Sequence, residues 1–264
     1  MKFKFFLYTI KRKVVTVWEK TFSTFRLLRL IKILRPKDTN KKLIRLGGDS
    51  DGGYLVPDDL NGVKTCFSAG IGDISDFEYS CAEIGMEVFM ADASVDAPVL
   101  NDIRFNFEKK FIGNKNLGNF ITLEEWIKIS KVDLSSDFLL QMDIEGNEYD
   151  VLNSSSFATL KKFRILVIEF HNLHKLSDSE FHKKANSAFK KILKNHVCIH
   201  IHPNNCCGIR KINGIEIPVV AEFTFIRRDR IQINGNVRKF PHEHDRDNVN
   251  NPSITLPDIW FKKI

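Results

Sequence analysis

Two glycines and five polar side chains stand where their types and spacing could do chemistry. The run Cys66-Phe-Ser-Ala-Gly70-Ile-Gly72-Asp73 ends a β-prone stretch on small residues. Gly70 and Gly72 would let the main chain lie against a bulky ligand before a helix begins, because glycine tolerates positive φ. Asp92 closes the next apolar stretch about twenty residues on, where a carboxylate can accept both ribose hydroxyls of a bound nucleoside. The bland alternative for Asp92 is a helix cap. The third glycine of the dinucleotide fingerprint is missing, which disfavours pyrophosphate-binding enzymes.

A second group lies further along. Asp143 and Glu145 end one apolar run, and Glu169 and His171 end another. Strand carboxyl ends line the crevice of an open α/β sheet, so these three acids and one imidazole should share one edge. His171 is the preferred general base, oriented by Glu169 or Asp143, since an unperturbed imidazole titrates near neutrality. A structural hydrogen bond at a strand end is the competing reading. Asp143, Glu169 and His171 could also hold Mg²⁺ or Mn²⁺, although no residue is assigned as a metal ligand. His200 and His202 alternate on one strand and share a face, an arrangement that more often serves local hydrogen bonding. His242-Glu-His-Asp245 lies in a polar tail, where a solvated turn is expected.

These residues need a scaffold that brings strand ends together. Strand signals fall at Val63–Ala69, Glu87–Ala91, Ile103–Ile112, Phe138–Met142 and Arg164–Phe170, with helical segments between most of them. One helix should run from Ser75 to Gly85. Thr122-Leu-Glu-Glu125 and Ser177-Asp-Ser-Glu180 read as capping boxes opening two more. Val197–Ile201 and Val219–Arg227 follow each other without an intervening helix, so they should pair antiparallel. Alternation of this kind predicts an α/β fold: a mostly parallel seven-stranded sheet, covered on both faces, with a closing antiparallel pair. Residues 234–264 are polar and rich in Pro and Asn, and are expected to run over the surface.

Charge is unevenly distributed. Residues 1–37 carry eleven Lys or Arg against one acid, Glu19, a net +10 beside a chain total of +7 that leaves −3 for residues 38–264. A mildly acidic body argues against a nucleic-acid enzyme. Within the arm, Val14, Val17, Trp18, Phe22, Phe25, Leu28 and Ile31 recur at helical spacing with cations between them. Such a helix could dock on an anionic membrane surface or pack on the domain. The division expected is therefore a basic amphipathic arm, 1–36, and one domain, 37–264. Five cysteines without CxxC spacing suggest reduced thiols and a cytoplasmic setting, peripheral at the inner membrane face if the arm docks.

The stretch Asp143-Ile-Glu-Gly-Asn-Glu-Tyr-Asp-Val-Leu152 resembles the D-[IV]-E-G-x-E-x-x-V-L pattern of the FkbM-type methyltransferases. Asp51-Gly-Gly-Tyr54, Phe67-Ser-Ala-Gly-Ile-Gly72, Val167-Ile-Glu-Phe-His171, His200-Ile-His-Pro-Asn-Asn205, Asn250-Asn-Pro252 and Pro257-Asp-Ile259 resemble a branch of that family in the same order. The resemblance spans roughly residues 43–260. It implies a class I methyltransferase Rossmann-like fold, S-adenosylmethionine as donor, and O-methylation of a sugar, glycan, glycolipid or related natural-product precursor. It implies that Asp51, Tyr54, Gly70, Gly72, Asp73, Asp92 and Asp143 contact the cofactor. It departs from many methyltransferases at Ser68, where an acid two residues before the first glycine is common; Asp73 or Asp51 would then meet the cofactor's amino group. A nicotinamide-dependent oxidoreductase and an inactive Rossmann-like interaction module are the competing functions.

Overall fold

Alternating side chains of the central strands fall into two separate apolar clusters, which fixes a sheet buried on both faces. The structure, a computed structural model, describes residues 21–262. On one face Phe67, Ala69, Leu140, Met142, Leu166 and Ile168 join a core completed by helices. On the other, Cys66, Val88, Met90, Leu139, Ile165 and Val167 pack against a second helix layer. The period of two along each strand is what sends neighbouring residues to opposite faces.

The seven strands are β1 (Val63–Ala69), β2 (Glu87–Ala91), β3 (Phe105–Glu108), β4 (Asp137–Met142), β5 (Phe163–Phe170), β6 (His196–Pro203) and β7 (Ala221–Arg227). Their order across the sheet is β3-β2-β1-β4-β5-β7-β6. Only β7 runs antiparallel to its neighbours. This is the class I methyltransferase arrangement, with the antiparallel closing pair expected from the sequence. The switch point falls between β1 and β4, the place where open α/β sheets bind ligands.

The helices are α1 (21–34), α2 (Asp76–Glu83), α3 (Leu123–Ile129), α4 (Glu148–Ser154), α5 (Phe157–Lys162) and α6 (Ser179–Leu193). Thr122 caps α3 by accepting the Glu125 N–H. The cap of α6 is Asp178, which accepts the Phe181 N–H; Ser177, the expected cap, closes a preceding 3-10 turn instead. The expected third strand, Ile103–Ile112, is divided. Lys110 N–H turns back to the Glu108 carbonyl, and Phe111–Ile112 pairs with Phe120–Ile121 outside the main sheet. A hairpin, Ile209–Ile212 with Ile215–Pro218, stands between β6 and β7.

One surface expectation is overturned, and the described half of the arm follows one of its two readings. Leu256, Trp260 and Phe261 of the tail are buried in the main core, so the polar composition of residues 234–264 conceals an apolar anchor. Leu27, Leu30, Ile31 and Leu34 of α1 enter the same core, so this half of the arm packs on the domain. Its opposite side leaves Phe22 and Phe25 about 60% exposed, beside exposed Arg29 and Lys32. Residues 14–20 of the proposed amphipathic segment lie outside the described residues.

Candidate active site

The loop after β1 is built by close backbone approach. Gly70 has φ +77°, donates its N–H to the Ala91 carbonyl at the end of β2, and lies so near the Asp143 carbonyl that a Cβ there would collide with it. Asp143 N–H in turn donates to the Ala69 carbonyl. The ends of β1, β2 and β4 are thereby drawn together. Gly72, at φ +50°, has no atom within 4 Å of where its Cβ would stand. That space is open, and Gly72 lines the cleft beside it.

A cleft of about 240 Å³ is lined by Asp51, Tyr54, Gly70, Gly72, Asp73, Asp92 and Asp143, together with Glu78, Gln141 and Glu145. All seven residues expected at a cofactor thus line one cleft. Asp92 accepts Gly72 N–H at 3.0 Å on one oxygen and the Ser94 N–H and hydroxyl on the other. These bonds fix the carboxylate while leaving lone pairs free. A second hollow of about 230 Å³ shares Gly70, Asp92, Ser94, Asp143 and Glu145. Its far side is apolar, formed by Ile112 and by Phe111 and Phe120, whose ring centroids are 5.4 Å apart. An aromatic-walled hollow beside a carboxylate that can hold a ribose suits a flat heterocyclic base.

Glu78, which the sequence reading passed over, enters the cleft from α2. It is 3% exposed and hydrogen-bonded by the Ser68 hydroxyl, which also bonds Gln141 at 2.7 Å. Burial pushes its carboxyl up to about 7, against the pull of the Ser68 bond. Gln141 donates to the Tyr54 hydroxyl at 3.2 Å. An acid is therefore present beside position 68, supplied by the helix rather than the strand. The sequence did carry a signal: Glu78 shares the helix face of Cys81 and Ala82, where a carboxylate needs a reason to be buried.

His171 and Glu169 do not line the cleft; they stand behind Asp143 and Glu145. His171 Nε2 lies 3.8 Å from Asp143 Oδ1, 3.3 Å from Glu145 Oε2 and 3.7 Å from Glu169 Oε1. Its Nδ1 is 2.9 Å from Glu148 Oε1. The orienting group is thus Glu148, fully buried at the start of α4, rather than the expected Glu169 or Asp143. Glu148 also accepts Gly146 N–H, and the neighbouring Tyr149 hydroxyl donates to the His171 carbonyl at 2.8 Å. Two consecutive residues of the Asp143–Leu152 stretch therefore clamp the ring and backbone of one histidine.

Burial opposes charge on His171, but its bond to Glu148 and the nearby Asp143 and Glu145 carboxylates raise it above the ordinary imidazole range. Burial pushes Asp143 up to about 7, with His171 opposing, and drives Glu169 well above the usual carboxylate range, aided by Asp143 and Glu222. Asp143 and Glu169 are therefore harder to ionise than isolated carboxyls.

Behind Glu169, the tail closes the site. Asn204 donates to Glu169 Oε1, and Asn248 donates to both Glu222 and Asp51. His200 Nε2 is 2.8 Å from Asp245 Oδ1 and His202 Nδ1 is 3.6 Å from it. The segment expected as a solvated turn instead buries Asp245, whose side chain is 5% exposed, against these two imidazoles. Although burial works the other way, His200 and His202 hold the Asp245 carboxyl far below its ordinary value.

Residues 104–196 match the family model described as the methyltransferase FkbM domain. The match contains Asp143, Glu148, Glu169 and His171, and leaves the glycine loop outside it. No curated protein matches the chain significantly. Among solved structures, the Burkholderia thailandensis 1,6-didemethyltoxoflavin N1-methyltransferase is 12% identical, covering 64% of this chain and 72% of that one, with a TM-score of 0.31. A 16S rRNA adenine N1-methyltransferase variant from Catenulisporales acidiphilia is 9% identical, covering 74% and 99% respectively, with a TM-score of 0.31.

Proposed function

The chain carries an FkbM-type methyltransferase domain, and from that premise we propose that it is an S-adenosylmethionine-dependent O-methyltransferase whose acceptor is a sugar hydroxyl of a glycan, glycolipid or related precursor. One observation carries this reading: Gly70, Gly72, Glu78, Asp92 and Asp143 line a single cleft, with an acid–imidazole cluster against its wall. In it Gly72 passes under the methionine part, Glu78 meets its ammonium group, Asp92 accepts the ribose hydroxyls, and Phe111 and Phe120 flank the base. The donor's sulfonium already activates the methyl carbon, so the protein chiefly aligns the acceptor and excludes water, which can lower a barrier by roughly 7–11 kcal/mol.

A sugar hydroxyl is a poor nucleophile until its proton leaves. The oxygen–carbon bond forms as the carbon–sulfur bond breaks, and the hydroxyl proton passes to the cluster of Asp143, Glu169 and His171. Phe22, Phe25, Arg29 and Lys32 on the outer side of α1 suit an anionic membrane face, where lipid-linked sugars are reached, which accords with a cytoplasmic enzyme peripheral to the membrane.

The experiment is a transfer assay with methyl-labelled S-adenosylmethionine and lipid-linked or free saccharide acceptors. Label on an acceptor oxygen is the expected outcome. Label that appears only on nitrogen or sulfur acceptors would contradict the sugar assignment, and none on any acceptor would contradict the reaction.

A further inference from the structure

We propose that Asp143, Glu145 and His171 form a divalent-cation site, with Glu169 beside it, at the wall of the cleft. The proposal rests on the O-methyltransferase reading and deepens it.

One ligand atom from each of Asp143, Glu145 and His171 lies within 4.8 Å of the others. Metal–ligand bonds of about 2.0–2.2 Å place neighbouring donors about 3 Å apart and opposed donors about 4.4 Å apart. The 3.3 and 3.8 Å separations from His171 Nε2 fall in that interval. The histidine is already posed as a ligand. Its Nδ1 engages the buried Glu148 carboxylate, which leaves Nε2 facing Asp143 and Glu145. A carboxylate behind the ring is the usual support of a metal-bound imidazole, fixing tautomer and orientation.

Two further observations call for a cation. Glu169, 4% exposed, has one buried oxygen without a hydrogen-bond partner, and Asp143 Oδ1 is buried and unpartnered as well. Among the described residues, every ion pair made by Asp143, Glu145, Glu148 and Glu169 runs to His171. Four carboxylates share one imidazole, a charge set that a divalent ion would balance. Carboxylate oxygens with one nitrogen suit Mn²⁺ or Mg²⁺. Such an ion would acidify an acceptor hydroxyl bound to it, and its charge would favour the ionised form of Glu169, which could then take the proton.

The test is Mn²⁺ titration of the full chain, followed by loss of the free-ion electron paramagnetic resonance signal, for wild type, Glu145→Gln, Glu148→Gln and His171→Ala. Glu145 is exposed, so its variant leaves the fold untouched, and thermal melts check the others. The expected result is one Mn²⁺ per chain, with binding weakened at least 10-fold by Glu145→Gln and by His171→Ala and 10–100-fold by Glu148→Gln. Absence of Mn²⁺ binding by wild type, or equal binding by Glu145→Gln and His171→Ala, would overturn the proposal. Calorimetry with S-adenosylmethionine on the same samples separates the two readings. Cofactor binding without Mn²⁺ removes the cation site and keeps the methyltransferase assignment; failure to bind cofactor removes that assignment whatever Mn²⁺ does.

Discussion

Glu148 Oε1 lies 2.9 Å from His171 Nδ1, a contact between the first residue of α4 and the residue that follows β5. The same oxygen accepts Gly146 N–H, so one fully buried carboxylate fixes the turn after β4 and the imidazole beside it. The Asp143–Leu152 stretch therefore works as a clamp on a histidine 23 positions after Glu148.

His171→Ala should lower kcat by about 10²–10⁴-fold, because the cluster that handles the acceptor proton loses its imidazole, while leaving the affinity for S-adenosylmethionine unchanged. Glu148→Gln should produce a smaller fall, because the carboxylate that orients His171 is gone. Steady-state kinetics across pH 5–9 checks both. Unchanged profiles would remove the dyad from the reaction.

Gly70 and Gly72 should respond differently to a side chain. A Cβ at Gly70 collides with the Asp143 carbonyl, so Gly70→Ala should destabilise the fold by more than the ~1–3 kcal/mol of left-handed strain alone. A Cβ at Gly72 meets only the open cleft. Chemical denaturation measures the first effect, and equal stability of Gly70→Ala and wild type would refute the tight junction between β1 and β4.

Glu78 ties stability to pH. Its folded carboxyl titrates at about 7 against an ordinary value of 4.5, so the folded state binds the proton more tightly than the unfolded state. The stability that Glu78 contributes is fully present below about pH 4.5 and is lost as pH rises towards 7. Glu78→Gln should be free of this loss and exceed wild type by up to about 3 kcal/mol at pH 8, with no advantage at pH 4. Denaturation at the two pH values checks it, and a gap independent of pH would contradict the buried acid.

The membrane contact has its own variant. Removing residues 1–36 would strip Leu27, Leu30, Ile31 and Leu34 from the core, each worth roughly 1.5–3 kcal/mol, and would confuse unfolding with release. Phe22→Ser with Phe25→Ser alters exposed side chains only. Sedimentation with anionic vesicles should show salt-sensitive binding that this pair weakens without lowering the melting temperature. Undiminished binding would exclude the outer side of α1.

The sheet was largely legible in the sequence because its strands are continuous apolar runs ended by Gly70, Asp92, Asp143 and His171. Period and punctuation both survive in one dimension. What escaped was long-range pairing. Glu148 reads as an ordinary first-turn acid until β5 places His171 against it. Glu78 lies on the apolar face of its helix, but its partner Ser68, which also bonds Gln141, meets it only in the folded sheet. Asp245 sits in a polar tail whose burial depends on Trp260 and Phe261 docking in the core, and no local composition announces that. Ser177 and Asp178 compete as adjacent caps, and the preceding 3-10 turn decides between them.

Calorimetric titration of S-adenosylmethionine into wild type and Gly72→Val tests the shared cleft most directly. Saturable binding at one site by wild type, lost in a variant that still unfolds cooperatively, is the expected result. Failure of wild type to bind, or full affinity in Gly72→Val, would contradict it.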